Sequence, residues 1–243
     1  MPRQREVVYL RKMKFSLLAL GLALIASLPG AYADIVTVVT PVGATTSGGA
    51  VDAIATITTG TNVVDITLTN LEANPKDVAQ LLSDFDFVLS NGATTGTLAF
   101  SSGQKITVNS NGTFTLGTTG STGWGLNDNV GGGLQLDALG FVGPAGLIIG
   151  PPGGATYTNA NSSIAGNGPH NPFINQTATF EIDVAGVTAD TKVTSATFSF
   201  GTTPGADLVR GTVPEPSSLL SFLMLGGAGL VFRKRLGGAL RRS

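Results

Sequence analysis

The sequence predicts an all-β protein: an antiparallel β-sandwich or jelly-roll-like domain with one short helix, framed by an N-terminal signal peptide and a C-terminal transmembrane helix. Three observations carry that expectation. Apolar and polar residues alternate with a period of two through much of the middle, as they do in strands with one buried face. Glycine and turn-forming pairs punctuate those runs. An apolar stretch beside a basic cluster lies near each end of the chain.

The 243 residues divide into 1–33, 34–212 and 213–243. In the first part Arg3, Arg5, Arg11, Lys12 and Lys14 precede an apolar run from Phe15 to Leu28. The helix breakers Pro29 and Gly30 follow, then Ala31-Tyr32-Ala33. This is the charged, apolar, small-residue order of a secretory signal peptide, with Ala31 and Ala33 as the pair read by signal peptidase. The apolar run is shorter than the about 20 residues of an ordinary membrane span. No twin-arginine pair precedes it, which favours the general secretory route. Met13-Lys14 would also supply a short charged region, so Met13 is an alternative start.

The middle part reads as strands. Val64, Ile66 and Leu68 alternate with Asp65, Thr67 and Thr69; Phe85, Phe87 and Leu89 alternate with Asp84 and Asp86. Ile106 and Val108, then Phe180, Ile182 and Val184, then Ala196, Phe198 and Phe200 continue the pattern. Thr59-Gly60-Thr61-Asn62 separates two runs as a hairpin turn, and further turns are expected at Asn91-Gly92, Asn111-Gly112 and Thr203-Pro204-Gly205. One two-turn helix is expected after Asn74, with Pro75 at its first position, Asp77 at its positive end and Val78, Leu81 and Leu82 as its apolar stripe. Gly117 to Gly168 is glycine-rich and reads as long loops around one short strand near Leu134–Leu139.

Composition narrows the chemistry. The chain has no cysteine, which excludes a disulfide framework, a thiolate zinc site and a cysteine nucleophile. Its net charge of -1 hides an asymmetry: residues 34–213 carry 13 acids against 4 bases. An acidic exported domain is a poor partner for nucleic acid or an anionic membrane surface. His170 is the only histidine, so a two-histidine metal site cannot form, and it reads as a turn residue held by packing. No cofactor motif is present: Gly131-Gly132-Gly133 lacks the lysine of a phosphate loop. Asp84 with Asp86, and Glu181 with Asp183, share strand faces, where paired acids usually serve solubility. Asn127, Asp128 and Asn129 offer oxygen ligands in an expected loop and are the calcium candidates. Trp124, between two glycines, is the candidate sugar contact, weighed against a place in the core.

The third part is a sorting signal. Val213-Pro214-Glu215-Pro216 precedes an apolar segment, 217–232, and then Arg233, Lys234 and Arg235 begin a basic end that runs through 243. A 16-residue helix spans about 24 Å at ~1.5 Å per residue, close to the ~30 Å hydrocarbon core once arginines snorkel. The basic cluster is the cytoplasmic membrane stop, which puts residues 34–216 on the far side, as the N-terminal signal also requires. The order Pro214-Glu215-Pro216, apolar helix, arginine-rich end resembles the PEP-CTERM sorting tail of Gram-negative bacteria, a tail also known as the ice-binding protein C-terminal domain. That resemblance covers about 30 residues. It implies recognition and processing by exosortase, an inner-membrane cysteine protease, and association of the cargo with exopolysaccharide and biofilm. Pro214, Glu215 and Pro216 match the recognition motif position by position.

The reading that results is a non-enzymatic exported surface or extracellular-matrix protein without a cofactor. It is anchored first in the inner membrane and then passed to the cell surface or matrix. Its partners are signal peptidase, an exosortase-type protease and exopolysaccharide. A carbohydrate-binding module using Trp124 is the alternative, and a hydrolase ranks third. Cleavage after Ala33 makes Asp34 the first residue of the exported chain. N-terminal sequencing of that chain is expected to begin there, and retention of Phe15–Leu28 would refute it.

Overall fold

A computed structural model of the protein describes residues 35–140 and 144–213. The expected signal peptide with its expected cleavage pair Ala31 and Ala33, the motif Pro214-Glu215-Pro216, the segment 217–232 and Arg233, Lys234 and Arg235 lie outside the described residues. The strands are β1 (Ile35–Val39), β2 (Thr45–Thr46), β3 (Gly49–Ala50), β4 (Ala53–Gly60), β5 (Val63–Asn70), β6 (Leu82–Leu89) and β7 (Thr97–Val108). They continue with β8 (Phe114–Gly120), β9 (Gly125–Val130), β10 (Gly133–Asp137), β11 (Ile148–Ile149), β12 (Phe173–Asp183), β13 (Val193–Phe200) and β14 (Leu208–Arg210).

Hydrogen bonding orders these strands into two layers. One runs β1-β4-β5-β12-β7-β8 and the other β14-β13-β6-β10-β9. Strand β11 joins them, parallel to β12 through Ile148–Ile174 and antiparallel to β6 through Ile148–Leu82. Every other pairing is antiparallel. Strands β2 and β3 form a separate small ribbon.

The alternation read from the sequence explains which faces meet. Val64, Ile66 and Leu68 of β5 and Phe180 and Ile182 of β12 are buried, as are Phe85 and Phe87 of β6 and Ala196 and Phe198 of β13; all belong to one core. Full burial of such a side chain contributes about 1.5–3 kcal/mol, so this shared interior dominates the stability of the domain. Phe85 and Phe198 are direct cross-strand neighbours, with ring centroids 5.0 Å apart. Trp124, just ahead of β9, meets Phe180 of the opposite layer at 5.3 Å, a contact that runs across the sandwich.

The hairpin at Gly60–Val63 forms as the turn chemistry requires, with Asn62 at φ 60. Two expectations are corrected. The segment after Asn74 is a single 3-10 turn, Val78–Gln80, capped by Asp77, whose side chain accepts from Ala79 N while Gln80 bonds back to the Asp77 N–H. Asn74 itself has φ 55, outside the range of a helix cap, and Leu82 already belongs to β6. The short α-helix, α1, is Ser162–Ala165, capped by Asn161. The glycine-rich stretch is also more regular than expected: β8, β9 and β10 run through it, because threonine and the flanking apolar residues outweigh the scattered glycines.

One side chain fixes the corner between the layers. Asn70 ends β5 and is 0% exposed. Its Nδ2 donates to Gln80 O and to Ile148 O, both at 2.9 Å, and its Oδ1 accepts from Glu72 N at 3.1 Å. It thus ties β5, the turn leading into β6, and β11. The backbone packs so closely here that a Cβ on Gly150 would stand 1.9 Å from Glu72 O. Replacement of Asn70 by Asp removes both donated bonds and leaves two buried carbonyls facing a carboxylate. Asn70→Asp is expected to lower unfolding free energy by about 3 kcal/mol or more in urea titrations, whereas the exposed Asp65→Asn should change it by less than about 0.5 kcal/mol.

Candidate functional site

The sequence placed Asp84 and Asp86 on one strand face; the structure shows what faces them. Register sets Leu208, Ser199, Asp84, Asp137 and Gly125 in one row across the outer face of the second layer. Arg210, Thr197, Asp86, Gln135 and Asn127 form the next row. Asp84 therefore stands directly opposite Asp137, and like charges so placed repel. Asp84 is only 2% exposed, and Asp137 is buried as well. Burial in the first place, and then the hydrogen bond and negative charge of Asp137, push the Asp84 carboxyl up to about 8. Asp84 thus stays protonated at neutral pH and donates to its neighbour.

Asp137 is held for that role from both sides. Its Oδ1 accepts from Leu139 N at 2.6 Å and its Oδ2 from Asn127 Nδ2 at 2.9 Å. Asn127 also donates to Gln135 Oε1 at 2.9 Å. The Asp86 carboxyl is raised chiefly by burial, against a hydrogen bond from Gln135. Three buried oxygens on this face have no partner: Asp84 Oδ1, Asp86 Oδ1 and Ser199 Oγ. A buried polar atom left unpaired costs about 1–3 kcal/mol, so such a cluster calls for an explanation.

Asp137 and Ser199 were not singled out from the sequence. Gln135 and Asp137 do alternate with Leu134 and Leu136, which marks their face but not their partner strand. The other candidates resolve differently. Trp124 is 4% exposed, its Nε1 donates to Gly146 O at 2.9 Å, and its ring packs on Phe180, so the expected sugar contact is corrected to a core residue. Asn127, Asp128 and Asn129 lie on β9 rather than in a loop and do not converge. Asp128 Oδ1 accepts from Gly96 N at 3.0 Å and Asn129 Oδ1 from Thr94 Oγ1 at 2.7 Å, so the calcium reading at these three residues is corrected. His170 is buried with Nδ1 2.7 Å from Ala145 O, a residue held by packing. Glu181 and Asp183 are exposed on the outer face of the first layer. Among the described residues no three His, Cys, Asp or Glu side chains form a metal-holding group.

A groove of about 480 Å³ lies above the Trp124 and His170 anchors, lined by Lys105, Thr122, Gly123, Ala145, Gly146 and three prolines. Lys105 Nζ donates to Thr122 O at 3.1 Å, and burial holds its ammonium below the usual lysine range.

The acid pair predicts a pH dependence whose sign is fixed. In the unfolded chain Asp84 ionises near its ordinary value of 3.8, but in the fold near 8, so folding takes up a proton between those limits. Stability is unaffected below about pH 4 and falls as pH rises from about 4 to 8, by at most about 1.4 kcal/mol per pH unit. Denaturant titrations across that range should show the decline, and Asp84→Asn should flatten it and raise stability at pH 8. A wild-type profile rising through this window would refute the proton-sharing arrangement.

Comparison with known proteins addresses the end of the chain. No curated protein and no solved structure gives a significant match. Residues 212–235 match the family model of the PEP-CTERM protein-sorting motif, a match that does not extend to the ice-binding description of such tails. It begins where the described fold ends, since Thr212 still pairs with Val39. The chain therefore carries a PEP-CTERM protein-sorting motif at residues 212–235, which implies an exported, membrane-anchored precursor processed by exosortase.

Proposed function

We propose that residues 34–212 form a non-enzymatic surface or extracellular-matrix domain, delivered by its tail and associated with exopolysaccharide. The carrying observation is where the fold closes. Val39 N donates to Thr212 O at 3.1 Å and Thr212 N donates back to Val39 O at 2.8 Å. The last backbone pairing of the sandwich thus comes two residues before Pro214. A cut in the tail removes the membrane segment without unpairing a strand, so the product of sorting is an intact, acidic domain.

The acids support a structural role. Glycoside hydrolysis needs two carboxyls about 5–10 Å apart with substrate between them. Asp84 and Asp137 instead sit on adjacent strands, share a proton and are buried, which leaves no space for a sugar between them. The carbohydrate-binding alternative loses its carrier, because the Trp124 ring belongs to the core.

The test is made in the native host by fractionation and intact mass. Wild type should lose 217–243 and leave the inner membrane; Glu215→Ala should accumulate there at the longer length. Equal size and equal membrane retention of the two would reduce the tail to a plain anchor.

A further inference from the structure

Charge is distributed unevenly along the folded domain. Residues 34–213 carry 13 acids and 4 bases, yet from Phe87 to Asn127 the only Asp, Glu, Lys or Arg is Lys105, and from Ala138 to Phe180 there is none. The groove of about 480 Å³ takes all of its lining residues from these two stretches. Lys105 is therefore its sole charge, a cation set in an uncharged patch of an acidic domain. Its Nζ donates to Thr122 O at 3.1 Å, which engages one of the three N–H donors of an ammonium. Burial alone, with no carboxylate beside it, lowers the Lys105 pKa. A partly buried cation without an opposite charge is costly, and an anion in the groove would offset that cost.

The groove is held in shape by what lies behind it. His170 Nδ1 meets Ala145 O at 2.7 Å and Trp124 Nε1 donates to Gly146 O at 2.9 Å, both from buried side chains. A Cβ on Gly146 would stand 2.6 Å from Pro172 O, so these two lining segments pack backbone against backbone. Pro144, Pro169 and Pro172 are exposed and give the walls apolar ring surface, and the exposed Ser121 adds a hydroxyl. A site fixed in advance loses little free energy to ordering, and its volume falls in the range of about 300–1,000 Å³ usual for ligand sites. One ammonium suits one carboxylate, the proline walls suit the C–H faces of a ring, and the hydroxyl suits a polar substituent on it. A neutral sugar would leave the ammonium unpaired, and a bare carboxylate would leave the proline walls empty. We propose, resting on the exopolysaccharide association above, that this groove binds a uronic acid residue of that polymer, its carboxylate paired with Lys105 Nζ. The acids elsewhere on the domain repel such a polymer, which confines its contact to this uncharged patch.

The test uses the full chain in detergent, with a galacturonic acid trimer as the probe. Trp124 is the only tryptophan and bonds to a lining residue, so its emission reports on the groove. The trimer should change that emission saturably, and titration calorimetry should give one trimer per chain. A neutral galactose trimer should leave the emission unchanged. Lys105→Met should weaken trimer binding by about tenfold or more, and Lys105→Arg, which keeps the charge, should retain most of it. Ser121→Glu sets a competing carboxylate at an exposed position of the lining and should weaken binding as much; it provides the answer if Lys105→Met does not fold. No saturable response to the trimer, or wild-type affinity in both Lys105→Met and Ser121→Glu, would overturn the proposal. Binding of the galactose trimer, of acetate or of a neutral tripeptide as tight as that of the sugar acid would overturn it too. Co-sedimentation with the host's exopolysaccharide separates the two readings. Wild type left in the supernatant sinks the association and the groove assignment together, whereas equal sedimentation of wild type and Lys105→Met sinks the groove assignment alone.

Discussion

Asn70 sits where a sandwich is hardest to build, at the corner where hydrogen bonding passes from one layer to the other. Its carboxamide donates to Gln80 and Ile148 and accepts from Glu72. Those residues belong to the turn before β6, to β11 and to the chain leaving β5. Each layer can bury its apolar face only if the other is held at the right spacing and angle. A side chain with donors and an acceptor can fix three backbone segments at once, which an apolar residue of the same size cannot do. The close approach of Gly150 to Glu72 belongs to the same corner.

The second constraint is electrostatic. Outer faces of antiparallel sheets are usually wet, so aspartates there are ordinarily cheap. Here Asp84, Asp137 and Ser199 are buried, which turns a solubilising pattern into one needing a proton. The proton held at Asp84 meets that need, so the stability of this face depends on pH. The core beneath it, built from Phe85, Phe87 and Phe198, tolerates that dependence because its contribution does not change with pH.

Local pattern exposed the strands but not their partners. The alternation at 64–69, 84–89, 180–184 and 195–200 reappears as β5, β6, β12 and β13, because one buried face imposes a period of two wherever it occurs. The sorting motif was equally legible, since it is a linear order of residues with no tertiary requirement. The helix at Asn74 was overdrawn: a cap, a proline and an apolar stripe also describe one 3-10 turn entering a buried strand. The stretch after Gly117 holds more strand than its glycine content suggests, because its threonines favour extended backbone. Asp137 could not be paired with Asp84 from sequence at all. Cross-strand register is set by turns and by side chains far away in the chain, and the burial of an outer face depends on segments that periodicity does not describe.

The reciprocal bonds between Val39 and Thr212 also decide how the domain bears mechanical load. While the tail still holds the chain at the membrane, any drag on the exported domain acts through the connection at Val213. That pull reaches the two bonds at Thr212 before it reaches the short ladder of β13 and β14 or the core. The Thr212 hydroxyl adds a third bond, donating to Val39 O at 3.2 Å, so the pairing nearest the tether is held by side chain as well as backbone and stands apart from the hydrophobic interior.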